Sequence, residues 1–358
     1  METSSGLLQQ ENLASRNRWH CLDESLPDSL SGQDAPVLLW CQKDNQSTYQ
    51  KIFLDRTRCP QRTFMKRHFL RIRDLDKDTC RLLVRQAAGI PDAKTRTDFM
   101  IGRTAVMLFA RPSLAIRLCL TGAVRQMGGY ILYEGPDGGW REDIERYRRQ
   151  VLPLFDYYAD CLYTYDLPIH AWDTEIADMP FPVINAGSPE SQPAAALADV
   201  VCMLRKTKEL DGVSAAWIGC ANGTLYSLIE AMAHFPFSLR ICLPRDASSV
   251  RALAEQNARV TVVASAREAA ADANYIFAGS RADMTIEERE VWCIDQELMA
   301  GAAHDARLLF SGMPMESIRV DRHVLASPAA WLVRQAEARL RLHKRILHWV
   351  FAENEPAL

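Results

Sequence analysis

Residues 102–130 hold a candidate anion site. An apolar run, Thr104 to Phe109, passes through Arg111-Pro112-Ser113 into an amphipathic stretch that closes on Met127-Gly128-Gly129-Tyr130. A strand, a Pro-Ser turn and then a helix in that order point the helix's unpaired N–H groups and positive dipole end at the turn. Ser113 offers a hydroxyl there, and it also reads as a helix cap worth about 1 kcal/mol. Arg111 stands beside the turn. Arg117 lies one turn along the helix, suited equally to an anion or to a structural acid. Three further candidates sit at chain breaks or on the last helix. Gln192 precedes Pro193; Asn222 occupies a turn, where Asn is also favoured for tolerating a left-handed backbone; and Arg339 lies on an apolar stripe, where a guanidinium needs a carboxylate or phosphate partner. Glu190 is a candidate general base, or simply an exposed loop carboxylate. The pattern assigns no catalytic residue.

Composition narrows the classes. The chain has 358 residues, 48% hydrophobic and 24% charged, with a formal net charge of −3. That is long enough for two domains with their own cores and gives no electrostatic footprint for nucleic acid. The arginine clusters at 146–149 and 334–345 read as solvated helix faces. No apolar run is long enough to cross a bilayer, and Met1 to Asn17 is polar, so a cytoplasmic protein with no membrane partner is expected. The 10 cysteines are scattered singly, which suggests neither a zinc site nor a disulfide framework. His343 and His348 are five residues apart and do not share a helix face, so no metal is expected. No cofactor is expected either.

The expected fold class is α/β: two doubly wound parallel-sheet domains with an N-terminal appendage. Residues 1–65 form the appendage, rich in Ser, Asp, Gln and Asn, with apolar runs at Pro36–Cys41 and Lys51–Leu54 that suit a hairpin. Residues 66–205, completed by a C-terminal helix over 328–352, form the first domain, and 206–327 the second. Strand-like and helix-like segments alternate throughout. The first unit reads as His68–Asp74 leading into a helix, the strand-turn-helix above, a helix at Asp143–Leu154, a strand at Asp160–Tyr163, a helix at Ile169–Ile176 and a strand at Pro182–Asn185. Pro193 to Arg205 is a strong helix with proline at its first turn, expected to bridge the domains. The second unit reads Val213 to Gly223, helix Thr224–Ala233, strand Leu239–Leu243, helix Ala247–Gln256, strand Arg259–Val263, helix Ala266–Ala271 and strand Asn274–Phe277. Gly219 and Gly223 mark a strand-to-helix turn at a carboxyl edge, where ligands usually bind, without a Gly-x-Gly-x-x-Gly fingerprint. In the final helix, Leu332, Ala336, Leu340, Leu347 and Val350 make a packing stripe.

From about His68 to the C-terminus the chain resembles the aspartate/ornithine carbamoyltransferase family, closest to the ornithine branch. Trp217-Ile-Gly-Cys-Ala-Asn222 resembles Trp-Ile-Gly-Asp-Gly-Asn. Pro193-Ala-Ala-Ala-Leu-Ala-Asp199 resembles His-Pro-x-Gln-x-Leu-Ala-Asp, and Gln335-Ala-Glu-Ala-Arg339 resembles Ala-Glu-Asn-Arg. The resemblance implies a carbamoyl-phosphate-binding-like first domain, an amino-acid-binding-like second domain and a homotrimer. It also implies a Ser-Thr-Arg-Thr-Arg phosphate loop, but this chain has Ser113-Leu114-Ala115-Ile116-Arg117. Where the family supplies a further Arg, a His and a Gln, this chain has a residue near Tyr165, Gln192 and Ala195. Ser311-Gly312-Met313-Pro314 replaces His-Cys-Leu-Pro, and the amino-acid loop is lost around Ala278 to Thr285. Ser113, Arg117, Asn222 and Arg339 remain as candidate anion- and substrate-binding residues, with Arg111 and Gln192 as new ones.

Three functions stay open. One is an enzyme acting on an ornithine- or arginine-like amino acid by non-conventional group transfer, as in specialised metabolism. The second is a drifted but conventional ornithine carbamoyltransferase, against which stands a loss of roughly 10²- to 10³-fold in rate per missing preorganised donor. The third is a non-catalytic amino-acid-binding homologue. The small and apolar replacements at Leu114, Ala115, Ile116, Ala194, Ala195 and Met313 favour a cleft for a less charged ligand.

Overall fold

The computed structural model describes residues 67–352 apart from residue 246, together with the backbone of three strands ahead of them. Those strands, β1 (Cys21–Leu22), β2 (Val37–Gln42) and β3 (Tyr49–Leu54), form an antiparallel sheet in which β2 and β3 pair as expected from their apolar runs. The rest of the expected appendage lies outside the described residues.

Residues 67–352 build two parallel sheets. The first has the order β5-β4-β6-β7, from β4 (Thr104–Phe109), β5 (Tyr130–Glu134), β6 (Cys161–Tyr165) and β7 (Val183–Gly187). Its helices are α1 (Lys77–Gly89), α2 (Leu114–Gln126), α3 (Trp140–Val151) and α4 (Asp173–Ala177). Helix α5 (Pro193–Thr207) leads to the second sheet, of order β10-β9-β8-β11-β13, built from β8 (Ser214–Ile218), β9 (Ser238–Cys242), β10 (Val260–Val262), β11 (Tyr275–Ala278) and β13 (Arg307–Phe310). With it go α6 (Gly223–Ala231), α7 (Ser248–Glu255), α8 (Ala266–Ala270), α9 (Ile286–Val291), α10 (Gln296–Ala300), α11 (Arg322–Ala326) and a small parallel pair, β12 (Cys293–Ile294) and β14 (Arg319–Val320). Every residue of β6, β7 and β11 is buried, as in a parallel sheet covered on both faces. The last described helix is α12 (Leu332–Phe351), which packs against α1, α2 and α5.

Several expected elements are revised. His68–Asp74 contributes only a bridge from Phe69 to Ile184 before a short 3₁₀ turn at Ile72–Asp74. The helix expected at Asp143–Leu154 ends at Val151, where Pro153 starts a 3₁₀ segment, Leu152–Tyr157. The helix expected at Ile169–Ile176 is split by the non-helical backbone of Trp172. Strand β13 was not anticipated at all; its four residues, Arg-Leu-Leu-Phe, are too short to show a period.

The expected stripe on α12 holds for Leu332, Leu340, Leu347 and Val350, which pack against the cores, but not for Ala336, and the buried face is broader and more polar than expected. Ala336 is exposed and Leu340 half-buried, while Ala338, Leu342, Ile346, Leu347 and Val350 are buried with the polar Gln335, Arg341, His343 and Lys344. Side chains on this helix satisfy backbone groups of other elements. Arg341 donates to the carbonyls of Ile90 and Pro91, and Lys344 to those of Ala93 and Thr95. Gln335 makes the most central links: its Nε2 donates to Asp199 Oδ1 at 2.7 Å and to the Phe310 carbonyl at 3.0 Å, and its Oε1 accepts from the Phe310 N–H at 2.9 Å. It thus ties α5, α12 and β13 in one buried node.

Asp199 is fully buried, and its second oxygen has no partner among the described residues. Burial pushes its carboxyl up to about 6, against the Arg339 charge and the Gln335 hydrogen bond. A carboxyl whose pKa is higher folded than unfolded stabilises the fold below the unfolded value, near 3.9, and loses that contribution as pH rises through the folded one. Urea denaturation of wild type and Asp199→Asn between pH 4 and 7 checks this. The variant is expected to gain on wild type by roughly 2 kcal/mol across that window; a gap independent of pH would count against it.

Candidate functional site

In both sheets the strand order reverses at a central strand, β4 in the first and β8 in the second, and ligands bind beyond the carboxyl ends of strands at such switch points. The segments just past these ends line a cavity of about 410 Å³ between the two sheets. Arg111, Ser113 and Ala115 follow β4; Tyr165 and Asp166 end β6; Gln192 follows β7; Asn222 follows β8; Ser280 and Arg281 follow β11; Ser311 and Met313 follow β13. Arg289 of α9, Glu316 and Arg339 of α12 complete the charged lining.

Close backbone approach makes this convergence possible. Gly219 has φ +130°, and a Cβ there would lie 2.9 Å from the Gly279 carbonyl carbon. A Cβ on Gly223 would meet the Ser188 carbonyl oxygen at 2.7 Å, just where Gln192 N–H donates to the Gly223 carbonyl. The loop after β11 is fixed in turn by Cys220 N–H on the Ser280 carbonyl, Ile318 N–H on Gly279 and Arg281 N–H on Glu316. Its side chains therefore point from an ordered backbone.

Five of the six expected residues line the cleft. Ser113 caps α2, its Oγ accepting from Ile116 N–H at a long 3.5 Å. Asn222 caps α6, its Oδ1 accepting from Thr224 and Leu225 while its Nδ2 reaches Ser311 Oγ at 3.4 Å. Gln192 uses its Oε1 on the Thr224 hydroxyl at 2.7 Å. Arg339 reaches the Phe310 carbonyl at 3.5 Å, and its buried Nε has no partner. Arg111 is the most engaged: its Nε donates to Asp166 at 3.2 Å, its Nη2 to the Tyr165 hydroxyl at 3.3 Å, and its Nη1 lies 3.7 Å from Glu316 beyond the second sheet. The exception is Arg117. It is exposed and stacks over Tyr133, 4.0 Å from the ring centroid, outside the lining.

Glu190 is also outside. It accepts from His170 Nδ1 at 2.9 Å, and although burial favours the neutral acid, the His170 and backbone hydrogen bonds prevail and hold its pKa below the ordinary value. A depressed carboxyl is a weaker base, so Glu190 serves this pair. His343 packs edge-on to Tyr163 and His348 stacks on Phe99; burial pushes His343 down to about 3, so it is neutral. Among the described residues no group of three His, Cys, Asp or Glu side chains could hold a metal ion.

The cleft is strongly charged despite the small and apolar replacements at Ala115, Ile116, Ala195 and Met313. Four arginines line it, Arg111, Arg281, Arg289 and Arg339, against the carboxylates of Asp166 and Glu316. Both carboxylates are taken by Arg111, and among the described residues the side chains of Arg281 and Arg289 make no hydrogen bond or ion pair. Near Tyr165, where the resemblance places an arginine, the charge is reversed to Asp166. Sequence reading missed Arg281 because it treated 278–285 as a lost motif, and Arg289 because no strand end, turn or motif marks its position. Tyr165 was also missed; burial raises its phenol above the ordinary value despite the Arg111 charge, so it is a neutral donor.

Comparison with known proteins agrees with this architecture. Residues 67–205 match the model for the aspartate/ornithine carbamoyltransferase carbamoyl-P binding domain, and 211–350 match that for the Asp/Orn binding domain. The ornithine carbamoyltransferase of Nitratidesulfovibrio vulgaris (strain DP4) is 30% identical over 301 residues, covering 81% of this chain and all of the relative. That of Oleidesulfovibrio alaskensis is 30% identical over 298 residues, 80% of this chain and 99% of the relative. Among solved structures, ornithine carbamoyltransferase from Thermus thermophilus superposes with a TM-score of 0.71 at 21% identity, covering 79% of this chain and 98% of that one. The Pyrococcus furiosus enzyme gives 0.69 at 22%, covering 79% and 96%. At those identities the structural likeness speaks for the fold alone.

The Arg111 clasp has a measurable consequence. Exposed ion pairs contribute about 0–1 kcal/mol, so releasing Arg111 by Glu316→Gln is expected to tighten inorganic phosphate binding by at most about fivefold. Calorimetric titration of wild type and variant tests it; weaker binding in the variant would mean that Glu316 orients Arg111 for the anion rather than competing with it.

Proposed function

The chain belongs to the aspartate/ornithine carbamoyltransferase family, and from that premise we propose that its interdomain cleft performs group transfer on a small amino acid by chemistry other than ordinary carbamoyl transfer from carbamoyl phosphate to ornithine. One observation carries the reading. The cleft's arginines without an ion pair among the described residues are Arg281, Arg289 and Arg339, while at the turn before α2 the guanidinium of Arg111 is committed to Asp166 and Glu316 beside Ser113, backbone N–H groups and the methyl of Ala115.

The chemistry follows from where donors stand. A carboxylate-bearing amino acid suits Arg281 and Arg289, because a guanidinium pairs with carboxylate in a planar fork. The helix end, Ser113, neutral Tyr165 and Arg339 suit the oxyanion of a donor group. An ornithine side-chain amine, by contrast, finds both cleft carboxylates already held by Arg111. That argues for an amino acid without a second cation, a revision of the ornithine- or arginine-like substrate expected from the sequence. A tailoring step in specialised metabolism is the setting we propose, in a cytoplasmic homotrimer. Leu114 and Leu118 on α2, with Tyr130 and Leu132 on the edge strand β5, are exposed and support self-association through the first sheet's domain.

The second reading, a conventional ornithine carbamoyltransferase, is favoured by the 30%-identical relatives of that name and by the retained Ser113 and Arg339. Direct assay of the purified protein with ornithine and carbamoyl phosphate separates the two. Citrulline formation at rates usual for such enzymes is not expected. Nor should Ala115→Arg alone restore it, since Gln192 and Ala195 leave the carbamoyl-polarising donors unsupplied and such groups act as a unit. Robust turnover by wild type would return the conventional reading.

A further inference from the structure

A second cavity, of about 460 Å³, opens on the far side of α12 from the cleft and shares no lining residue with it. Arg339, which lines the cleft, and Arg345, which lines this cavity, are six residues apart, or about 240° around a helix. The walls are of two kinds. Ile90, Pro91, Phe99 and Met127 are apolar, and the Phe99 ring is held between His348, stacked at 4.4 Å, and the Arg103 guanidinium, 5.1 Å from its centroid, which leaves its edge to the cavity. The charged lining consists of Lys344 and Arg345, with no carboxylate among the residues around the cavity.

These two cations differ in how they are used. Lys344 spends two of its three donors on the carbonyls of Ala93 and Thr95, at 2.8 and 2.6 Å, which fixes the loop that forms the rim. Arg345 has no intramolecular role: among the described residues its guanidinium makes no hydrogen bond or ion pair, and its Nε is fully buried. Burial alone disfavours its charge and lowers its pKa. A half-buried guanidinium without an acceptor is costly unless something outside the chain supplies one.

We propose that this cavity binds a small carboxylic acid with an apolar, ring-sized body, its carboxylate on the Arg345 guanidinium and its body against Phe99, Met127 and Pro91. The site is independent of the cleft and of the reading given for it. A simple inorganic anion would satisfy Arg345 but leave the apolar wall wet. A neutral hydrocarbon would do the reverse. The cavity is large enough for a ring with a side chain and falls within the size range of small-molecule sites.

Calorimetric titration of the full chain with benzoate, acetate and benzyl alcohol tests both halves of the proposal. Benzoate is expected to bind saturably, benzyl alcohol at least about tenfold more weakly, the factor that one charge-assisted hydrogen bond is worth, and acetate about tenfold more weakly or worse for want of the ring's buried apolar surface. Arg345→Gln is expected to abolish benzoate binding, and Arg345→Lys to weaken it. Since Arg345 has no partner among the described residues to lose, neither variant should lower the thermal midpoint appreciably. Arg281→Gln, a change in the cleft, should leave benzoate binding intact. Absence of saturable benzoate binding, acetate binding as tight as benzoate, or binding that survives Arg345→Gln would each overturn the proposal.

Discussion

The buried amide of Gln335 holds the cleft together. It satisfies both backbone groups of Phe310, at the end of the last strand of the second sheet, and one oxygen of Asp199 on the helix leading out of the first. Ser311 to Glu316, which supply the cleft's outer wall, begin where that grip ends. Arg339 lies four residues further along α12, on the same face of the helix, and so enters the cavity from a backbone that Gln335 has already fixed. A hydrogen-bonded node of this kind stays favourable only while every member is paired. Asp199 is its weakest member, fully buried with one oxygen unpartnered.

On this frame the cleft's charge is redistributed. A helix N-terminus contributes some 0.3–1 kcal/mol to an anion, whereas a charge-assisted hydrogen bond contributes about 1.5–3 kcal/mol. Arginine position therefore outweighs retention of the strand-turn-helix. Arg111 is close to that turn but is committed to Asp166, Tyr165 and Glu316. The uncommitted guanidiniums approach from the opposite wall, on the loop after β11 and on α9. On the proposed reading, the anion is held from across the cleft, by charges that the same two switch points bring together.

Much of the fold was legible because its signals are collective. Alternating apolar runs and amphipathic stretches predict two parallel sheets, and Pro193 with its alanine-rich successor predicts α5 within a few residues. The short β13 and the polar face of α12 were not legible. Four residues carry no period, and the burial of Arg341, Lys344 and Gln335 depends on carbonyls of residues 90–95, 199 and 310 that only folding brings near. In the site, Ser113, Gln192 and Asn222 were readable as residues at strand ends and helix caps, and Arg339 as a charge on an apolar stripe. Arg117 was misplaced because its direction depends on Tyr133, across the β4–β5 connection. Arg281 was missed because a segment read as the ruin of one motif supplies a charge of its own, and Arg289 because it sits on a short helix that no motif marks.

The location of a bound dianion tests this redistribution most directly. Crystals soaked in selenate, with anomalous difference density measured at the selenium edge, report where the cleft holds an oxyanion. Density within hydrogen-bonding distance of Arg281, Arg289 or Arg339 is the expected result. Density confined to the Ser113 turn, out of reach of those three side chains, would contradict it.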